Sequence, residues 1–161
     1  MSEEILAATV EALGTAAEPR FFRTERGYHG RFYCTLHAAL DRRGLLHDGA
    51  ILEMEYQKSA RHEMTQRPDI IFHVPAEESG AYVRENNFAV FALKWRTSRT
   101  EAMKDFRKLD EMCERLDYPL AIFINIASER NYREEYTGPF PDRIHAFGVV
   151  LVNGAPKVIG A

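Results

Sequence analysis

Two residues far apart in the chain carry the strongest hint of chemistry. Asp69 follows Arg67 and Pro68 at the head of a short apolar run, and Lys94 stands near the end of a longer one. A carboxylate opening one strand and an ammonium ending the next would meet in one pocket if the strands are neighbours. Period-two geometry puts Lys94 on the same face of its strand as Ala92, with Leu93 and Trp95 on the other. Each residue also has an ordinary reading, since strand-ending lysines are commonly solvated and Pro-Asp is common in turns. Arg96, Arg99, Lys104, Arg107 and Lys108 follow closely on Lys94, and Arg61, His62 and Arg67 lie near Asp69. Arg67, Arg96, Arg99 and Lys104 are the nucleic-acid contacts such a basic run would supply. Asp105, Asp110 and Glu111 interleave it, which equally suits a solvated helix face.

These groups depend on the elements that carry them. Residues 88–95 have the clearest strand pattern, and residues 50–56 and 67–74 read as two earlier strands. Residues 26–43 place Phe32, Leu36 and Leu40 at helical spacing and stop at Gly44, which predicts a first core helix. A shorter opening helix is expected over residues 3–13, ending at Gly14. Ser98 and Glu101 fit a capping box, so a helix should start there, with Met103, Phe106, Leu109, Cys113 and Leu116 on its apolar face. It ends near Pro119. Residues 120–127 are almost continuously apolar, as expected of a strand covered on both faces and parallel to an earlier one. Residues 147–152 and 156–159 flank Asn153-Gly154, a hairpin turn signal.

The order helix, three strands, helix, strand, with Pro68-Asp69 and Phe91-Ala92-Leu93-Lys94-Trp95 at these places, resembles the PD-(D/E)xK superfamily of metal-dependent nucleases over roughly residues 25–127. The resemblance implies a restriction-endonuclease-like α/β core (αβββαβ), a central mixed sheet flanked by helices. It implies Asp69 as a ligand of Mg²⁺ or Mn²⁺, with the Leu93 backbone carbonyl as a further oxygen. Lys94 would orient and help deprotonate the attacking water, and Glu25, at the start of the first core helix, would orient a metal-bound water. The activity implied is endonucleolytic hydrolysis of DNA, with RNA as a second substrate class. A homodimer, in which two cleavage centres meet two strands, is also implied.

One position departs from the pattern. The superfamily expects Asp or Glu at position 92, and a methyl group cannot ligate a metal. Three accounts compete: an alanine introduced to remove a catalytic carboxylate, a carboxylate recruited from elsewhere, or a natural pseudoenzyme that keeps the fold for binding. Glu55 ranks first among recruits, ahead of Glu53, Glu101 and Asp105. Glu53 and Glu55 share one face of the first strand, although glutamates on the solvated side of an edge strand are the simpler account.

The remaining composition narrows the classes. A chain of 161 residues with 45% hydrophobic content suits one domain, residues 1–161, with a core near 25–127 and a C-terminal hairpin extension. The net charge of -3 means that nucleic acid would be held by a local patch. No apolar run is long enough to span a bilayer and the first residues lack a secretion signal, so a soluble cytoplasmic protein without a membrane partner is expected. Cys34 and Cys113 read as two buried thiols, and the six histidines lack zinc-site spacing. No Gly-rich phosphate loop or nucleophile elbow is present. A metal-dependent nuclease is the leading expectation, and a non-catalytic nucleic-acid-binding or assembly module on the same fold is the alternative.

Overall fold

The structure, a computed structural model, describes residues 1–54, 68–75 and 86–160. Two helices, α1 (Ser2–Ala16) and α2 (Glu25–Arg42), precede three strands, β1 (Ile51–Met54), β2 (Ile70–His73) and β3 (Asn87–Trp95). Helix α3 (Arg99–Leu116) leads to β4 (Leu120–Ile126), and β5 (Ile144–Val152) and β6 (Ala155–Ile159) close the chain. The strands lie in sequence order in one six-stranded sheet. β1, β2 and β3 pair antiparallel, β3, β4 and β5 pair parallel, and β6 returns antiparallel to β5. Parallel neighbours need a crossover. Helix α3 supplies it between β3 and β4, and residues 127–143 supply it between β4 and β5.

Alternation divides the core into two layers. Phe91 and Leu93 of β3, with Ile70 and Phe72 of β2, pack with α1 and α2, whereas Ile71, Val90 and Ala92 pack with α3. All seven residues of β4 are buried, which is the outcome of covering a strand on both sides. Each expected strand is found, with ends within about three residues of those expected, and the Asn153-Gly154 turn has the positive φ values a tight hairpin requires, 52° and 78°. Strand β5 begins earlier than its sequence pattern indicates. Ile144 and Ala146 are buried with His145 between them, so the alternation extends past Phe147 toward the chain's start.

The helix ends follow local chemistry. Thr24 caps α2 by accepting the Gly27 N–H at 3.0 Å, and Gly44 beyond its last turn has φ 66°. Ser98 caps α3 by accepting the Glu101 N–H at 3.4 Å. Helix α1 departs from expectation by continuing through Gly14 to Ala16. Its last carbonyls find partners beyond the helix: the Tyr28 hydroxyl of α2 donates to Leu13 O at 3.0 Å, the Ala17 N–H to Gly14 O at 3.3 Å and the Glu18 N–H to Ala16 O at 2.8 Å. With those carbonyls satisfied, the helix gains nothing by ending at a left-handed glycine.

The apolar face of α3 also differs in detail. Its buried residues are Ala102, Asp105, Phe106, Leu109, Met112, Cys113 and Leu116, while Met103 is half-buried at the margin. Cys113 is buried as expected, but Cys34 is exposed, because α2 turns it away from α1 and the sheet.

Candidate active site

The junction of β2 and β3 builds the cleft. Ile70 pairs with Phe91, and the Asp69 N–H donates to Phe91 O at 3.2 Å, so Asp69 continues the ladder one residue before β2. The Asp69 Oδ2 accepts the Leu93 N–H at 2.7 Å, which fixes the carboxylate beside the strand that carries Lys94. Alternation along β2 sends Ile70 toward α2 and Ile71 toward α3, and Asp69 shares the Ile71 side. Ala92 and Lys94 face that side too. Asp69, Ala92 and Lys94 line one cavity of about 50 Å³, large enough for a few water-sized groups.

A third element closes the cavity. Asp105, on the sheet-facing stripe of α3, lines it and is only 3% exposed. Its Oδ1 accepts from Lys108 Nζ at 2.9 Å, and its Oδ2 lies 4.0 Å from Lys94 Nζ. The first separation is a hydrogen bond and the second a longer-range ion pair. The cleft therefore brings two carboxylates and two ammonium groups together beside the Ala92 methyl.

Burial is the main influence on Asp69 and pushes its carboxyl above the usual 3.8. The Leu93 N–H, His29 and Lys94 oppose that rise, and the negative charge of Asp105 adds to it. His29 belongs to the second turn of α2, one turn beyond Glu25. The sequence gives His29 no role beyond excluding zinc-site spacing, and it enters the field around Asp69 only through the packing of α2.

The other expected site residues are placed as follows. Glu25 is exposed in the first turn of α2 and is not among the residues lining the cavity. Leu93 is buried, and it shares a strand edge with Phe91, whose carbonyl points to β2. The Leu93 carbonyl therefore points to the same edge, beyond the start of β2. Glu55 and Arg67 lie outside the described residues, as do Arg61 and His62. Glu53 meets His73 Nε2 at 3.0 Å, and Glu101 is exposed and accepts from Lys104 Nζ at 2.7 Å. Lys104 is thus already neutralised, as is Arg99 by Glu135. Arg96 is exposed, at the turn after β3, with φ 47° and its guanidinium 5.9 Å from the Trp95 ring centroid.

Among the described residues no group of three or more His, Cys, Asp or Glu side chains is arranged to hold a metal ion. Among the described residues the side-chain oxygens lining the cleft are those of Asp69 and Asp105. These are hard donors, the kind Mg²⁺ and Mn²⁺ take together with waters and substrate phosphate oxygens. The donor set fits such a cation, and Ala92 contributes nothing to it.

No known protein family matches the chain by sequence, and no curated protein does. Among solved structures it is similar to NucC of P. aeruginosa ATCC27853 in its cAAA-bound form. The likeness has a TM-score of 0.50 at 11% identity and covers 100% of this chain and 84% of that one. It establishes the fold as restriction-endonuclease-like α/β, a mixed six-stranded sheet flanked by helices, as the sequence resemblance implies. Among the described residues no helix is long and apolar enough to cross a membrane.

Proposed function

We propose that this chain is a metal-dependent nuclease that hydrolyses phosphodiester bonds in DNA at the Asp69–Lys94 cleft. The observation that carries the reading is the convergence of these two side chains on one cavity, from neighbouring strands of a restriction-endonuclease-like sheet. When bound, Mg²⁺ or Mn²⁺ supplies charge stabilisation at the phosphoryl oxygens and a more acidic water. Asp69 serves as the anchoring carboxylate, held in one rotamer by the Leu93 N–H. Lys94, half-exposed at the cavity, donates to the scissile phosphate and takes part in proton transfer from the attacking water. Arg96 stands beside this strand end, exposed, where a phosphate backbone would pass. NucC, on the same fold, is seen bound to cAAA, which lends support to a nucleotide-containing ligand.

Ala92 favours a second reading, a non-catalytic nucleic-acid-binding module, because β3 offers no carboxylate at that position. Cleavage assays on supercoiled plasmid and labelled RNA, with Mg²⁺ or Mn²⁺, separate the two. Cleavage is expected from the wild type or from Ala92→Glu, and Asp69→Ala is expected to abolish it. A folded wild type and a folded Ala92→Glu variant that both leave DNA and RNA intact would rule out the nuclease.

A further inference from the structure

We infer that Asp105 on α3 is the second cation-binding carboxylate of this cleft, standing in for the acid that Ala92 lacks, and that Lys108 covers it until a divalent cation enters. The inference rests on the metal-dependent reading above and adds a ligand and a competitor that the reading itself does not require.

Four observations lead to it. Asp105 occupies a position in the buried stripe of α3, between Ala102 and Leu109, where the helix pattern calls for an apolar residue. A carboxylate that is 3% exposed is costly there unless it is compensated. It lines the same cavity as Asp69, Ala92 and Lys94, so two carboxylates from different elements face one space. The small Ala92 side chain keeps that space open on the β3 side. Finally, the compensation comes from outside. Lys108 is one turn along α3 with half of its side chain in solvent, and it binds only Oδ1, whereas Oδ2 is 4.0 Å from Lys94.

A flexible, half-exposed ammonium on a buried carboxylate is an exchangeable counter-ion. Its withdrawal returns a well-hydrated group to water, and a divalent cation in its place would neutralise Asp69 and Asp105 together. The ordinary account makes Asp105 a helix-surface ion-pair partner for Lys108, one turn apart. That account makes Asp105 no ligand, so Asp105→Asn would cost cation affinity only a nearby charge, short of the roughly tenfold loss expected on removal of a ligand.

The test is Mn²⁺ binding to the full chain, followed by electron paramagnetic resonance, with circular dichroism confirming the fold of each variant. Asp105→Asn, nearly isosteric, should weaken binding at least about tenfold. Ala92→Glu combined with Asp105→Asn should restore it. Lys108→Met should tighten binding about two- to fivefold, the scale of a half-exposed ion pair. If Mn²⁺ binds in a manner that needs Asp69 but is indifferent to Asp105→Asn, the inference is overturned and the nuclease reading stands. Should Asp105→Asn fail to fold, unchanged affinity in Lys108→Met overturns the inference by itself. Absence of Mn²⁺ binding in both the wild type and Lys108→Met would remove the metal reading together with this one.

Discussion

Asn125 offers a quantitative handle on how the cleft is framed. It lies in β4, fully buried, in register with Lys94 on one side and Gly148 on the other. Its Oδ1 accepts the Thr97 N–H at 3.0 Å and its Nδ2 donates to the Arg130 carbonyl at 2.7 Å. One side chain therefore ties the turn after β3, which begins two residues beyond Lys94, to the turn after β4. Asn125→Leu keeps the volume nearly constant and removes both bonds. Each bond contributes about 1 kcal/mol net, and an abandoned buried partner raises the loss toward roughly 3 kcal/mol. Thr97 and Arg130 are partly solvated, so water recovers some of this, and the sum is about 2–4 kcal/mol. For a domain of this size that lowers the melting temperature by roughly 4–16 °C. Thermal and urea melts followed by circular dichroism measure it. Asn125→Asp is the control: it keeps the acceptor for Thr97 but turns a carboxylate toward the Arg130 carbonyl, so its penalty at neutral pH should ease in acid, when the carboxyl can donate. A leucine variant melting within about 2 °C of the parent would show that these turns are held by other means.

Three further outcomes are expected. Asp69→Asn should raise the melting temperature at pH 7. The folded carboxyl is pushed above its ordinary value of 3.8, so ionised Asp69 costs stability at high pH. The contribution is favourable below the unfolded value and is lost as pH rises through the folded one, so the two proteins should converge in melts taken below pH 3.8; a gain that persists there would contradict the burial argument. Gly148→Ala should destabilise by about 1–3 kcal/mol in urea titrations, because the new methyl would lie 2.6 Å from the Ser128 carbonyl oxygen, a backbone atom that cannot move freely. Charge reversal at Arg96 should weaken binding of duplex DNA in fluorescence anisotropy and flatten the slope of log affinity against log salt by about 0.9, and an unchanged slope would exclude this surface.

The architecture was legible because its signals are local. The apolar run of β4, the alternation in β3, the Ser98 cap, Gly44 and Asn153-Gly154 each state their conformation within a few residues. The end of α1 was not legible, since its last carbonyls are met by Tyr28 on another helix and by the N–H groups of the chain that follows it. The start of β5 was obscured by His145, which interrupts the apolar character without interrupting the strand. The pairing of Asp69 with Lys94 was readable in outline, because two antiparallel neighbours with residues at their adjoining ends leave little freedom in where those side chains meet.

The acid opposite them was harder to rank, and the reason is instructive about charged residues in amphipathic helices. Asp105 is surrounded in sequence by Lys104, Arg107 and Lys108, so composition makes it one charge among several on a solvated face. Spacing indicates something else. Ala102, Asp105, Leu109 and Met112 follow intervals of three, four and three, the periodicity of a single buried stripe, and Asp105 is the one member that ionises. A charge placed where every neighbouring rule demands a hydrophobe conflicts with folding on its own terms, and such conflicts concentrate at functional sites. Glu53 and Glu101 break no such rule: one meets His73 and the other is exposed beside Lys104. The residue least consistent with its helix is therefore a better candidate for the missing carboxylate than the residues best placed to be ordinary surface charge.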